Sequence, residues 1–307
     1  MTGEENLYLQ TGRINRSVVV LGEVLWDLFE DSRRLGGAPL NFAAHARRLG
    51  HNVSLISAIG ADPLGDEAAQ SITALDLDTT FLQRTKRFDT GTARVQLGPG
   101  DRTRFVIDRP AAYDAIFLSN RDIECLRKLA PEWFYYGTLF AATPEGEEVL
   151  CRLLDALPGA TRFYDLNLRP GCYSEALVKR LLARANVVKL NEEELESVHE
   201  FTGLPFDMEA FCREGARRYG WMAVCLTLGA RGCALLACGE YVEAEGHAVE
   251  VVDPVGAGDA FAAAFLHGLI SEWPAAQIAA FANRVGALVA SRRGAIPDWT
   301  VREVVAL

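Results

Sequence analysis

Histidine is scarce in this 307-residue sequence. The five present keep no HxH or HxxxH spacing, so a histidine-built metal centre has no support. The seven cysteines, Cys125, Cys151, Cys172, Cys212, Cys225, Cys233 and Cys238, form no CxxC pair. An odd number scattered through apolar segments makes no disulfide framework, and a reducing cytoplasm is the simpler expectation. Basic residues are outnumbered, 31 Lys and Arg against 41 Asp and Glu for a net charge of −10. Such a surface does not suit nucleic acid or an anionic membrane, so any phosphate site must be built locally. No apolar run has membrane-spanning length, and the N-terminus is polar and acidic where a signal peptide is basic and then apolar. Also lacking are a GxGxxG after the first strand and a GxxxxGK[ST] loop, which speaks against a nicotinamide-dependent oxidoreductase and a P-loop enzyme. Glu5 to Gly12, ENLYLQTG, resembles a processing-protease site, so residues 1–14 read as a tag or disordered leader and 15–307 as the folded part.

Half of the residues are apolar, enough for a large core. Short β-branched or aromatic runs recur at Val18–Leu21, Val53–Ile59, Trp133–Tyr136, Arg162–Leu166, Val187–Leu190 and Met222–Thr227. Between them, Ala43–Leu49, Pro144–Leu157, Ser174–Ala185 and Glu209–Tyr219 place apolar residues three and four apart, as half-buried helices do. The alternation predicts an α/β fold with a mostly parallel sheet covered by helices. From Thr92 to Ile107 the residues alternate around Gly98-Pro99-Gly100-Asp101, which predicts a β-hairpin. It is either a lid over a site or a plain edge hairpin.

Most of the chemistry lies in Glu250 to Leu269, EVVDPVGAGDAFAAAFLHGL. A strand ending at Val252 is expected to enter a Gly-rich turn, followed by a helix over Ala260–Leu269. Gly256, Ala257 and Gly258 leave backbone uncovered at the helix start, where N–H groups and the helix dipole hold anions. Asp259 falls in the first turn. It is either favourable N-terminal charge or an ionised base beside the anion site, and the pairing of base and anion hole favours the second.

GAGD ahead of a small-residue helix near the C-terminus resembles the signature of the ribokinase-like (PfkB) carbohydrate kinases. The resemblance implies a three-layer αβα core with a small β lid from segments around 30–40 and 88–112. It also implies transfer of the γ-phosphoryl group of ATP, with Asp259 as base and the amides of Gly256 to Gly258 as anion hole. Pro254 departs from the family, which has Ser or Thr there. LGEVLWD, Leu21 to Asp27, closing the first strand, and GGAPLNFAAHARRLG, Gly36 to Gly50, opening the first long helix, resemble the family's sugar-binding signature. Asp27 and Asn41 suit sugar hydroxyls, while Gly36 and Gly37 admit close backbone approach; the alternative is a strand-end Asp and a turn before a helix.

DLNLRP, Asp165 to Pro170, follows a strand, so Arg169 stands where open α/β sheets bind ligands, ready to grip a phosphate or to form a surface ion pair. KLNEEEL, Lys189 to Leu195, resembles the family's NxxE motif, which implies Mg²⁺ organised near Glu194 through water, with Lys189 and Asn191 beside the nucleotide. A capping box explains Asn191 and Glu194 equally well. LTLGARG, Leu226 to Gly232, resembles the nucleotide loop, placing Thr227, Gly229 and Gly232 along ATP, or else forms a plain β-turn. Asn283 matches an adenine-side position. Asp253 and the turn around Ser291 to Ala295 match a site for a monovalent cation, K⁺.

Within the family, GGAPLN, RPAAYD (Arg109 to Asp114), DLNLRP and KLNEEEL look most like bacterial fructokinases. Arg109 would bound the sugar pocket from the lid side or remain a solvated charge. The alternatives are a 2-keto-3-deoxygluconate kinase, with Arg109 or Arg169 facing the sugar acid, and a non-catalytic sugar sensor on the same fold. Pairing through the hairpin's exposed face implies a homodimer.

Overall fold

The computed structural model describes residues 15–97 and 103–307, so the expected leader and the tip of the hairpin, residues 98–102, lie outside the described residues. The chain opens with β1 (Ser17–Leu21), β2 (Leu25–Leu28), β3 (Arg33–Gly36) and α1 (Ala38–Arg48). Next come β4 (Asn52–Gly60), α2 (Pro63–Ala74), β5 (Leu82–Thr85), β6 (Gly91–Leu97) and β7 (Thr103–Ile107). α3 (Asn120–Leu129), β8 (Trp133–Gly137), α4 (Pro144–Ala156), β9 (Thr161–Asp165) and α5 (Glu175–Arg184) form the middle. β10 (Val187–Asn191), α6 (Glu192–Thr202), α7 (Met208–Tyr219), β11 (Ala223–Thr227), β12 (Gly232–Ala237) and β13 (Glu240–Glu245) lead to α8 (Ala257–Ile270), α9 (Ala275–Ala290) and α10 (Val301–Ala306).

Nine strands form the main sheet in the order β13-β12-β11-β10-β9-β8-β1-β4-β5. Pairing is parallel from β11 through to β5, and only the β12 and β13 edge runs antiparallel. Burial explains the three layers. In β1, Val18 and Val20 belong to one apolar cluster with Phe42 and Phe265, while Val19 and Leu21 belong to the other with Leu150 and Leu181. A strand whose successive side chains are all buried must be covered on both faces, and each such Val or Leu contributes roughly 1.5–3 kcal/mol.

Local signals set the helix starts. Thr143 caps α4 by accepting from the Gly146 amide at 3.1 Å, with Pro144 at the first helical position. Because β4 follows β1 on one side and β8 joins it on the other, strand order reverses at β1. Ligand crevices in open α/β sheets form at the carboxyl ends of strands at such a point.

Two expectations at the first and last motifs are corrected. LGEVLWD does not close one strand. After Leu21 the Gly22 amide makes a last bond to Ile56 O at 3.2 Å, and Leu25–Leu28 then joins a second sheet of order β3-β2-β6-β7. A Cβ at Gly22 would lie 2.4 Å from Pro39 Cγ, so the chain leaves the main sheet hard against the start of α1. The second sheet thus begins upstream of residue 30, and the helix that follows starts at Ala38, ahead of Ala43. No strand ends at Val252 either. The Val252 and Asp253 amides both donate to Ala290 O, at 2.9 and 3.0 Å, and the two valines before Asp253 are more than half exposed. An extended segment docked on a helix end reads in sequence like a strand.

β6 and β7 pair antiparallel as the hairpin expectation had it. Among the described residues no helix is long and apolar enough to cross a membrane, and the seven cysteines are free thiols.

Candidate active site

Beyond the carboxyl ends of β1, β8 and β9 lies a cavity bounded by both sheets and by the starts of α1 and α8. Glu23, Asp27, Asn41, Asn167, Arg169 and Asp259 supply its polar wall. Leu25 and Asp27 of β2, Ala93 of β6 and Ile107 of β7 bring the smaller sheet against it. Opposite stand Pro254, Val255, Gly256 and Gly258.

α8 explains the position of Asp259. Gly256 caps the helix at φ 82°, and a Cβ there would sit 2.5 Å from Ala295 O, so glycine is required twice over, by conformation and by space. The Ala257 amide donates to Pro254 O at 3.3 Å, and the first helical bond runs from the Ala260 amide to Gly256 O at 2.9 Å. The amides of Gly258 and Asp259 therefore belong to the unpaired first turn, with the positive end of the helix dipole behind them.

Asp259 is buried and accepts from Asn41 Nδ2 at 2.8 Å through Oδ2. Burial, and after it the charge of Asp165, push its carboxyl up to about 6, while the Asn41 hydrogen bond, Lys189 and Arg169 pull the other way. α1 is fixed for this contact because Phe42 stacks on Tyr135 of β8, with ring centroids 3.7 Å apart. Tyr135 in turn donates to Asp165 Oδ2 at 3.1 Å.

Lys189 of β10 lies next to the helix start. Its Nζ donates to both Asp165 oxygens, at 2.9 and 3.1 Å, and would be 3.9 Å from a Cβ on Gly258. Burial opposes charge on Lys189, yet Asp165 and Glu194 hold the ammonium above its usual range. A fixed cation and two free amides thus face the same end of the cavity as a carboxylate with pKa near neutrality. That combination can deprotonate a hydroxyl and stabilise a transferring phosphoryl group.

Glu23 escaped the motif reading although it sits inside LGEVLWD, as the one charged residue among apolar neighbours just past β1. Burial pushes its carboxyl up to about 7. Burial and then the Asp259 charge do the same for Asp27, also to about 7. Among the described residues that line the cavity, two buried amide atoms have no protein partner, Asn41 Oδ1 and Asn167 Nδ2, one acceptor and one donor. An unmet group of this kind costs about 1–3 kcal/mol, which a polyhydroxy ligand would recover. Asn167 lies within DLNLRP, two residues past β9, at φ 45°, a conformation the motif does not show.

The remaining expected residues are placed as follows. Gly37 lines the cavity, and Gly36 lies behind it where a Cβ would be 2.9 Å from Asp27 Oδ2. Asn191 and Glu194 form the capping box of α6, with bonds of 2.8 and 2.9 Å, and the other Glu194 oxygen accepts from the Leu168 amide at 2.7 Å. Burial raises the Glu194 carboxyl against the pull of Lys189. Thr227 ends β11 in register with Asn191, and Gly229 and Gly232 bound the tight loop into β12. Asn283 of α9 donates to Glu245 O at 3.1 Å and Ala244 O at 3.4 Å. Asn191, Glu194, Thr227, Gly229, Gly232 and Asn283 do not line the acidic cavity.

Two residues stand differently from expectation. Arg109 does not line the cavity and is not a solvated charge. Asp114 pairs with its guanidinium, and Leu139 O accepts from Nη1 at 2.9 Å. Asp253 is already paired with Arg34.

A sequence profile described as pfkB family carbohydrate kinase matches residues 14–302. Fructokinase of Escherichia coli is 31% identical over 309 residues, covering 94% of this chain and 98% of its own. Among solved structures, a double mutant of fructokinase from Vibrio cholerae O395 with fructose, ADP and potassium ion bound superposes with a TM-score of 0.76 at 26% identity, covering 92% of this chain and 95% of its own. The 2-dehydro-3-deoxygluconokinase of Thermotoga maritima shares the fold, with a TM-score of 0.81 at 23% identity, covering 94% and 97%.

Proposed function

The chain belongs to the pfkB family of carbohydrate kinases and is an ATP-dependent sugar kinase, and from that premise we propose that its acceptor is fructose, phosphorylated on a primary hydroxyl to fructose 6-phosphate. The observation that carries this reading is the charge of the cavity wall. Glu23, Asp27 and Asp259 present three carboxyls, and among the described residues lining the wall the one guanidinium is that of Arg169; Arg109, paired with Asp114, and Arg34, paired with Asp253, act on it from outside. A sugar acid would bring a fourth carboxylate into that space, at a Coulombic cost one arginine does not offset. A neutral ketose instead supplies hydroxyls that donate to the carboxylates and meet the unpartnered atoms of Asn41 and Asn167.

In this mechanism Asp27, Asn41 and Glu23 orient the sugar, Gly36 and Gly37 let it approach the backbone, and Asp259 takes the proton of the attacking hydroxyl. The free amides of Gly258 and Asp259 and the Lys189 ammonium meet the charge on the transferring group, while the expected third amide, that of Ala257, is spent on Pro254 O. Arg169 grips phosphate from the β9 side. Thr227, Gly229, Gly232 and Asn283 form the nucleotide's side of the cleft, with Asn191 holding α6 in place. A magnesium ion bound with ATP would supply neutralisation of phosphate charge. Glu194 serves it only through water, since both its oxygens already accept amide hydrogens. The smaller sheet acts as a lid, because four wall residues ride on it.

Two results test this. In an ADP-release panel, fructose should have the highest kcat/KM, above 2-keto-3-deoxygluconate, ribose, glucose and adenosine by about tenfold or more. Preference for the sugar acid would overturn the acceptor assignment, and no ADP release with any acceptor would favour a binding-only role. In the pH dependence of kcat/KM, protonation of a cluster with values of about 6 and about 7 should remove activity on the acid side. The rate should climb through that range and level off above it, whereas a profile already flat from about pH 5 would contradict a base with a raised pKa.

A further inference from the structure

Asp253 opens the loop that carries the anion site, and its negative charge would repel a phosphate held there unless something neutralised it. The Arg34 guanidinium pairs with Oδ2, the Gly294 amide donates to the same oxygen at 3.0 Å, and the Val255 amide donates to Oδ1 at 3.1 Å. Arg34 comes from β3 of the smaller sheet and lies over the Phe29 ring, with Cζ 4.7 Å from the centroid. Its side chain is 36% exposed and that of Asp253 is 11% exposed, so the pair closes the loop from the rim and is only partly wet.

Two carbonyls near this carboxylate, at the end of α9 and at the end of the Ser291–Ala295 turn, are engaged as well. Ala290 O accepts two amides, from Val252 and Asp253. Ala295 O is 2.9 Å from His45 Nε2. The indole of Trp299 can only donate, and it does so to His45 Nδ1 at 3.1 Å, so the other ring nitrogen carries the proton and gives it to Ala295 O. Burial keeps that ring neutral, lowering it to about 4. A hard cation is held by several oxygens converging on one point. Here the carboxylate and both carbonyls already have partners from the chain.

We propose that Arg34 supplies the positive charge that a bound monovalent cation would otherwise bring to this loop, so that nucleotide binding and turnover in this chain do not depend on such a cation. The proposal rests on the reading of residues 256–259 as the phosphate loop. It also makes the loop's charge balance depend on the seating of β3, since the neutralising group arrives from the smaller sheet.

The test is ATP affinity by calorimetry, with Mg²⁺ present, in potassium chloride and in choline chloride at equal ionic strength. Wild type should agree within about twofold between the two salts, and turnover should follow suit. Arg34→Met should bind ATP about tenfold more weakly in choline chloride and recover part of the loss in potassium chloride. A wild-type affinity or turnover raised about fivefold or more by potassium would overturn the proposal, as would an Arg34→Met protein indistinguishable from wild type in choline. If the variant does not fold, the wild-type comparison decides alone. Nucleotide binding needs no acceptor, so an error in the choice of sugar leaves this test intact. Absence of ATP binding in both salts would sink the phosphate-loop reading and the proposal together.

Discussion

Asp259→Asn should lower kcat about 10²–10⁴-fold while leaving ATP affinity close to wild type. The substitution is nearly isosteric, and an asparagine can still offer its carbonyl oxygen to Asn41 Nδ2, which lies 2.8 Å from Oδ2 in the native site. What is lost is the ability to accept a proton at a pKa of about 6. That value is well placed for a base, since it leaves the carboxylate mostly ionised at neutral pH yet more basic than an exposed aspartate. Stability should not fall, because burial disfavours the charged form that the substitution removes. Initial rates and calorimetric ATP binding on the same preparation check both halves, and a variant turning over near the wild-type rate would remove Asp259 from the role of base.

Lys189→Met should cost ~3–5 kcal/mol of stability, the usual penalty for leaving one partner of a buried ion pair alone. Asp165 is fully buried with its charge met by Lys189 at 2.9 and 3.1 Å, and Tyr135 is its only other side-chain donor among the described residues. Urea unfolding of the variant measures the loss. Adding Asp165→Asn should return most of it, because the stranded charge is then gone, while ATP affinity should stay low for want of the ammonium beside Gly258. A loss below about 1 kcal/mol in the single variant would mean that the pair is not what holds β9 to β10 at the site.

How much of this was legible in the chain follows from the range of each signal. The parallel strands read clearly because burial on both faces writes an unbroken apolar run, as in Val18–Leu21. The α6 capping box and the Gly256 turn read clearly because their determinants lie within four residues of one another. β12 and β13 carried no strand expectation, although Gly232–Ala237 is buried throughout. Val251 and Val252 misled for the opposite reason, since β-branched residues in an exposed extended segment look like a strand when the docking partner, Ala290 O, is far off in sequence.

Pairings across long separations were the least accessible. Nothing local says that Arg34 meets Asp253 or that Asn41 meets Asp259. Glu23 belongs to the same class. Its position past β1 was plain, but its role depends on the lost solvation that raises its carboxyl to about 7, which only the folded cavity provides.

The most direct test of the central claim is phosphorus NMR of the products formed from ATP and fructose by the wild-type protein. The account predicts consumption of the ATP γ-phosphate with one new sugar resonance, that of fructose 6-phosphate. Fructose left unphosphorylated under conditions where 2-keto-3-deoxygluconate is converted, or phosphorylation at another hydroxyl, would contradict it.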